Sequence, residues 1–159
     1  MATEADADFD AIYVGHVTRV VRLAGLLGAE DPEDVAQEAF CRLYAARARV
    51  REPEVIAYLN RIVVNEVRSR ARRFRTAAGK RHLLGVADAT SGPSGERTAV
   101  LAAMAQLPQR QREALVLRYW LDLPLAQIAE AMGVAVGTAK SQVSRGLKAL
   151  AVALDEGDA

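Results

Sequence analysis

The sequence predicts an all-α protein with two small helical domains, a three-to-four-helix bundle and a helix-turn-helix domain, joined by a flexible linker. Apolar residues recur at helical spacings of three and four, and no segment shows the sustained alternation typical of strands. The stretch Asp88–Gly95 contains small, turn-forming residues without an apolar period, which indicates the linker. Near the end, a tight turn at Gly133 separates two amphipathic helical patterns.

Composition limits the class of protein. A chain of 159 residues with 51% apolar and 26% charged residues is typical of a globular protein with one ordinary domain or two small ones. No apolar run is long enough to cross a bilayer, and the N-terminus is acidic, so we expect a cytoplasmic protein without membrane insertion. A single cysteine, Cys41, excludes an internal disulfide and a cysteine-based zinc site. We therefore expect a free thiol, no metal and no cofactor.

Charge is distributed unevenly along the chain, although its net value is only +1. Acidic residues dominate residues 4–38, whereas residues 61–81 are rich in arginine and are interrupted by one acid, Glu66. Local charge steers polyanions more than net charge does. This pattern favours a DNA-facing part and a separate protein-facing part.

The first predicted helix spans about Phe9 to Leu27 and ends at Gly28. Its helical spacing places five residues inward: Phe9, Tyr13, Val20, Ala24 and Leu27.

The second predicted helix runs from Pro32 to about Ala46, with Asp31 as its N-cap. Its core face consists of Val35, Ala36, Ala39, Phe40 and Leu43. The residues pointing away from that face are Asp34, Gln37, Glu38, Cys41 and Arg42. This outward face is the candidate surface for a protein partner.

The third predicted helix starts at Pro53 and carries an arginine-rich stripe. Its predicted buried residues are Val55, Ile56, Leu59, Ile62, Val63 and Val67. The stripe on its other face, at spacings of four and three, consists of Arg61, Asn65, Arg68, Arg72 and Arg75. Like charges at these spacings repel each other, so a polyanionic partner is the simplest compensation.

Four further helices are predicted downstream, at Glu96–Met104, Gln109–Trp120, Pro124–Met132 and Val136–Leu154. The predicted buried stripe of the last helix is Val136, Ala139, Val143, Leu147 and Leu150. Its opposite side presents Thr138, Ser141, Arg145 and Lys148, flanked by Lys140 and Gln142. A polar and basic helix of this kind matches the second helix of a helix-turn-helix, which enters the major groove.

Catalytic patterns are not found. His16 and His82 are far apart and lack neighbours at metal-ligand spacing, and no phosphate-binding loop or nucleophile motif is present. An enzyme is therefore the least supported class.

Three motifs together resemble a known family. Asp31–Phe40 resembles the helix by which σ70-type sigma factors bind the coiled coil of the largest RNA polymerase subunit. Ala57–Asn65, followed by arginines, is similar to the −10 recognition helix of the compact extracytoplasmic-function group of these factors. Val136–Arg145 is similar to the −35 recognition helix of the same group. The motifs occur in the family's order and cover nearly the whole chain.

The resemblance implies a σ2-like domain at 1–82, a linker at 83–95 and a σ4-like domain at 96–159. It implies that core polymerase and promoter DNA are partners, and an anti-sigma factor is a further candidate. The residues implied in binding core polymerase are Asp34, Gln37 and Glu38. Those implied at the −10 element are Arg61, Asn65, Arg68 and Arg72. Those implied at the −35 element are Thr138, Lys140, Ser141, Gln142, Ser144, Arg145 and Lys148.

The sequence leaves two other classes of function as alternatives. A stand-alone helix-turn-helix transcriptional regulator would bind its operator alone and as a two-fold dimer, whereas the resemblance implies weak free DNA binding that polymerase strengthens. A nucleic-acid-processing enzyme requires a metal or a nucleophile that the sequence does not supply. We expect a sigma factor and not an enzyme.

Overall fold

The computed structural model describes the backbone of residues 3–78 and 95–157. It also describes the side chains of these residues, except those of residues 75–78 and 95–97. This part of the chain is helical and contains no strand, so the predicted all-α class is confirmed. Its α-helices are α1 (Glu4–Leu26), α2 (Pro32–Ala46), α3 (Val55–Ala78), α4 (Gly95–Ala105), α5 (Gln109–Leu115), α6 (Leu125–Met132) and α7 (Val136–Gly157). A 3₁₀ turn, Glu52–Glu54, precedes α3, and a π-helical turn, Val116–Trp120, continues α5.

Helices α1 to α3 form the N-terminal unit. The predicted start of α2 is confirmed, since the Asp31 side chain accepts a hydrogen bond from the Asp34 amide at 3.1 Å and Pro32 occupies the first helical position. All five predicted core residues of α2 are buried. Helix α1 begins at Glu4, earlier than expected, because the Asp6 carboxylate accepts a hydrogen bond from the Thr3 amide and stabilises an additional first turn.

Two predicted core positions of this unit are exposed. Tyr13 is 43% exposed, although its ring packs edge-on against the ring of Phe40, with 4.9 Å between centroids. Ile56 lies in the first turn of α3 and lines a cleft of about 170 Å³ between α3 and α6. The buried arc of α3 is wider than one face and includes Asn60 and Val64. The arc is wide because three helices, α1, α2 and α6, all pack on α3.

Helices α4 to α7 form the C-terminal unit, in which Gly133 ends α6 with a left-handed φ of 69°. The predicted buried stripe of α7 is wrong at two positions, because Val136 is 50% exposed and Leu147 is 42% exposed. Gly146 is buried in place of Leu147. A Cβ atom at Gly146 would lie 2.9 Å from Cγ of Leu115, so the missing side chain lets α7 approach α5 closely.

The two units pack against each other in one continuous buried cluster. The Gln109 amide donates to the Leu27 carbonyl at 3.1 Å, and Arg112 Nε donates to the Leu26 carbonyl at 2.8 Å. The C-terminal unit thus satisfies backbone carbonyls at the end of α1. The two helical domains predicted from the sequence are therefore in contact in this structure. The predicted linker at 83–95 lies outside the described residues except for Gly95, and the predicted domain boundaries stay predictions.

Candidate nucleic-acid and protein interfaces

The outward face of α2 carries the three residues predicted to contact a protein partner. Asp34 and Gln37 are exposed and Glu38 is partly exposed, on the side of α2 opposite its buried core residues. Asp34 forms an ion pair with Arg70, and Glu38 Oε1 accepts a hydrogen bond from Arg42 Nε at 2.9 Å. Both carboxylates are therefore held by arginines before any partner arrives.

Glu66 anchors these arginines and was not assigned a role from the sequence. Its side chain is buried and accepts hydrogen bonds from Arg42 Nη2 at 3.0 Å and Arg70 Nε at 2.8 Å, with Arg73 Nη2 at 3.6 Å. The hydrogen bond with Glu66, supported by Asp34, raises the pKa of Arg70. The spacing of Glu66 and Arg70, four residues apart on one helix, is the sequence signal that indicates this contact. A groove of about 680 Å³ lies between α2 and α3, and Glu66 and its arginines are among the residues that line it.

The exposed stripe of α3 contains Arg61, Asn65 and Arg72, as predicted. Arg61 and Asn65 have no polar partner among the residues that the structure describes. The side chain of Arg75 lies outside those residues. An amide and a guanidinium on one helical face can pair with base edges and with phosphates, respectively.

Arg68 does not share that exposed face. Its Nε donates to Glu113 Oε2 at 3.3 Å, its Nη2 forms an ion pair with Glu113 Oε1, and Nη2 also lies 3.4 Å from the Met132 carbonyl. The Arg68 side chain is 16% exposed and Glu113 is fully buried. The expected position of Arg68 in the exposed stripe is therefore wrong in this structure. Its role at the −10 element stays a prediction.

Helix α7 presents the residues predicted for the −35 element on its solvent side. Six of them are exposed: Thr138, Lys140, Ser141, Ser144, Arg145 and Lys148. Gln142 is partly buried. The Ser141 hydroxyl donates to the Gly137 carbonyl at 3.0 Å, which leaves its oxygen lone pairs as acceptors. The three cations have no ion-pair partner within the described ranges, so they are available to an anionic ligand.

Several buried polar groups were missed from the sequence. Asn60 Oδ1 accepts a hydrogen bond from Arg19 Nη2 at 2.7 Å, and burial lowers the pKa of Arg19. Arg112 is buried beside Gly28, and burial lowers its pKa to about 10. Arginines are seldom buried, and no sequence pattern distinguished Arg112 from exposed arginines.

Metal-ligating clusters and membrane-spanning helices are absent from residues 3–78 and 95–157. This part of the chain holds no group of three or more metal-ligating side chains, and Cys41 is an exposed free thiol. None of its helices is both long and apolar enough to cross a membrane.

Two stretches of the chain match protein-family models. Residues 12–76 match the region 2 model of the σ70 family, and residues 97–150 match its region 4 model. These ranges contain α2 and α6 completely, and most of α3 and α7.

Relatives match over most of the chain. The ECF RNA polymerase sigma factor SigM of Mycobacterium tuberculosis is 33% identical over 148 residues, which cover 90% of this chain and 75% of SigM. The RNA polymerase sigma-E factor of Streptomyces antibioticus is 28% identical over 131 residues, covering 80% of this chain and 73% of that protein. The sigma factor RpoE from Bartonella quintana, solved in complex with the anti-sigma factor NepR, has the same fold, with a TM-score of 0.75. It is 23% identical, with 93% of this chain and 97% of RpoE covered.

Proposed function

This chain belongs to the extracytoplasmic-function group of σ70-type RNA polymerase sigma factors, and on that premise we propose how its surfaces divide the work of promoter recognition. The α2 face, with Asp34, Gln37 and Glu38, binds core polymerase. The exposed stripe of α3 engages the −10 element, and the outer face of α7 engages the −35 element. A stand-alone regulator is not favoured, because both sigma regions and their relatives match in the same order.

The arrangement of the α2 face is the observation that carries this proposal. Its three polar residues lie opposite a fully buried apolar face, so they contribute little to the core. The Glu66-centred network fixes the two carboxylates at defined positions. A surface ordered in this way loses less side-chain entropy when a protein partner binds.

The two DNA surfaces follow from the exposed side chains. On α3, Asn65 can pair with a base edge while Arg61 and Arg72 hold phosphates. Arg68 joins them only when it leaves Glu113. On α7, Lys140, Arg145 and Lys148 supply charge, and Thr138, Ser141, Gln142 and Ser144 supply hydrogen-bonding groups.

The remaining parts of the proposal concern boundaries and partners. We assign residues 1–82 to the σ2-like domain, 83–95 to the linker and 96–159 to the σ4-like domain. The chain acts by binding, as a transcription initiation factor and not as an enzyme, beside polymerase and DNA in the cytoplasm. An anti-sigma factor is a proposed partner, since RpoE of Bartonella quintana was solved with one.

The double variant Gln37→Ala with Glu38→Lys tests the docking surface. Its cost to folding is small, because both positions are at the surface and the broken Glu38–Arg42 pair is about 40–50% exposed. Exposed pairs contribute about 0.2–1 kcal/mol, so the thermal midpoint should fall by no more than about 4 °C. Recovery of core polymerase in a pull-down should fall at least tenfold, because a lysine now meets a surface selected for a carboxylate.

The matched control is Asp155→Lys, which makes the same kind of charge reversal on an exposed residue near the end of α7. It should leave recovery of polymerase unchanged. Circular dichroism verifies that each variant is folded. Equal recovery by the double variant and the wild type contradicts the assignment of this face.

A further inference from the structure

The contact between the two units contains a cluster of charged groups beside its apolar part. Glu113 of α5 is fully buried and binds Arg68 of α3 through both carboxylate oxygens. Arg110 Nη1 lies 3.7 Å from the same carboxylate and donates to the Met132 carbonyl. Arg112 is buried nearby and donates to the Leu26 carbonyl at the end of α1. Helix α6 packs along α3 beside this cluster.

The helix position of Arg68 and its guanidinium belong to two different surfaces of the protein. Its Cα position belongs to the stripe of Arg61, Asn65 and Arg72, which the proposed function assigns to the −10 element. Its guanidinium is nevertheless turned into the contact between the units, where Nε and Nη2 both donate to Glu113 and the side chain is only 16% exposed. A guanidinium bound to both oxygens of a carboxylate cannot bind a phosphate with the same donors.

We propose that the Arg68–Glu113 ion pair is an autoinhibitory contact: it holds the free chain closed and withholds from DNA an arginine of the α3 stripe. This inference rests on the proposed DNA-binding role of α3. When the units separate, Arg68 returns to the stripe. The α3 stripe therefore has one arginine fewer for DNA when the two units are closed than when they are apart.

The composition of the contact makes it reversible. The cost of separating a buried ion pair is partly offset, because both charges regain water when the contact opens. Glu113 also keeps Arg110 as a second cation when Arg68 leaves, so its carboxylate is not left without a positive neighbour. Arg112 has lost water on burial, and a backbone carbonyl compensates for this only in part.

Replacing each partner of the pair gives opposite effects on DNA binding. Both Glu113→Gln and Arg68→Ala remove the ion pair and should open the chain. Only Glu113→Gln leaves Arg68 present and free to contact a phosphate. Opening is measured by energy transfer between a dye on the exposed Cys41 of α2 and a second dye on Val152→Cys, an exposed position of α7. DNA binding is measured by anisotropy of a 20-base-pair duplex with the free chain at several salt concentrations.

We expect lower energy transfer in both variants than in the parent chain. Glu113→Gln should bind the duplex several-fold more tightly at low salt, with a log–log salt slope steeper by about 0.9, the value for one additional phosphate contact. Arg68→Ala should show no steeper slope. Circular dichroism shows whether each variant is folded. If Glu113→Gln does not fold, Arg68→Ala still tests opening, because Arg68 is less buried than Glu113.

Two results overturn the autoinhibitory contact. One is unchanged energy transfer in both variants, and the other is an equal gain of DNA binding in both. Arg61→Ala distinguishes failure of the contact from failure of the proposed DNA surface, since Arg61 lies in the stripe and outside the contact. It should weaken duplex binding without changing energy transfer. If Arg61→Ala binds the duplex as the wild type does, the α3 stripe is not a DNA surface and the proposal fails with it.

Discussion

Replacing Gly146 by alanine tests whether the packing of α7 on α5 depends on a missing side chain. Alanine is favoured over glycine within a helix by about 1 kcal/mol, so helix propensity alone predicts a more stable protein. The added Cβ atom would lie 2.9 Å from Cγ and 3.1 Å from Cδ1 of Leu115, and 3.3 Å from the Gln111 carbonyl oxygen. Leu115 is fully buried, so its Cγ cannot move away without disturbing the core.

The change in unfolding free energy of Gly146→Ala is the sum of the packing cost and the gain in helix propensity. Adding a methyl group to a well-packed core costs about 1–3 kcal/mol. After the gain in helix propensity, Gly146→Ala should lose about 1 kcal/mol of unfolding free energy. Gly15→Ala is the matched control, because Gly15 lies within α1 and a Cβ there meets nothing within 4 Å. It should gain about 0.5–1 kcal/mol.

Thermal unfolding monitored by circular dichroism measures both variants against the parent chain. For a protein of this size, about 1 kcal/mol shifts the midpoint by about 2–4 °C. Gly146→Ala should therefore lower the midpoint by about 3 °C, and Gly15→Ala should raise it by a similar amount. If Gly146→Ala raises the midpoint as much as Gly15→Ala does, the close approach of α7 and α5 is refuted.

Two further predictions concern the DNA surfaces. Asn65→Ala should impair open-complex formation, measured by permanganate reactivity of a matched promoter, while holoenzyme still binds a linear −35 probe; unchanged reactivity would remove Asn65 from the −10 site. Replacing Lys140 or Arg145 by alanine should cost about 1–3 kcal/mol of discrimination between promoter and non-promoter DNA, or reduce the salt slope by about 1 for a phosphate contact. Affinity for core polymerase should stay constant in both, and an equal loss of polymerase and DNA binding would instead indicate a damaged fold.

Much of the fold was predictable because its signals are local. The start of α2 depends on Asp31 and Pro32, which act within one helical turn, and both were placed correctly. The turn of the helix-turn-helix depends on Gly133, which adopts the expected left-handed conformation. Periodicity also placed the core residues of α2, because a single packed face gives a regular apolar spacing.

The errors arise where packing against another helix decides which residues are buried. The stripe of α3 was correct in its spacing, but α5 lies beside Arg68 and offers it a buried carboxylate. Gly146 carries no apolar side chain, so hydrophobic periodicity assigned its place in the core to Leu147. Neither result depends on local sequence alone. Both follow from which helices meet, and single-sequence patterns do not encode this.

The proposed polymerase-binding face of α2 was predicted only in part from the sequence. Its outward residues followed from the helical period of α2, and the structure finds them on the side opposite the core. The buried Glu66 that orders their arginines belongs to α3 and joins them through space. Sequence reasoning located the surface, whereas the order within that surface required the packed structure.

Run-off transcription with purified core polymerase on a promoter library tests the central claim most directly. If this chain directs polymerase through three surfaces, transcripts should appear only when it is added, and should start at a fixed distance from shared −35 and −10 sequences. The Gln37→Ala, Glu38→Lys variant should abolish these transcripts, and Asp155→Lys should not. Transcripts that do not depend on the chain, or a chain that binds one operator as a two-fold dimer without polymerase, would contradict the account.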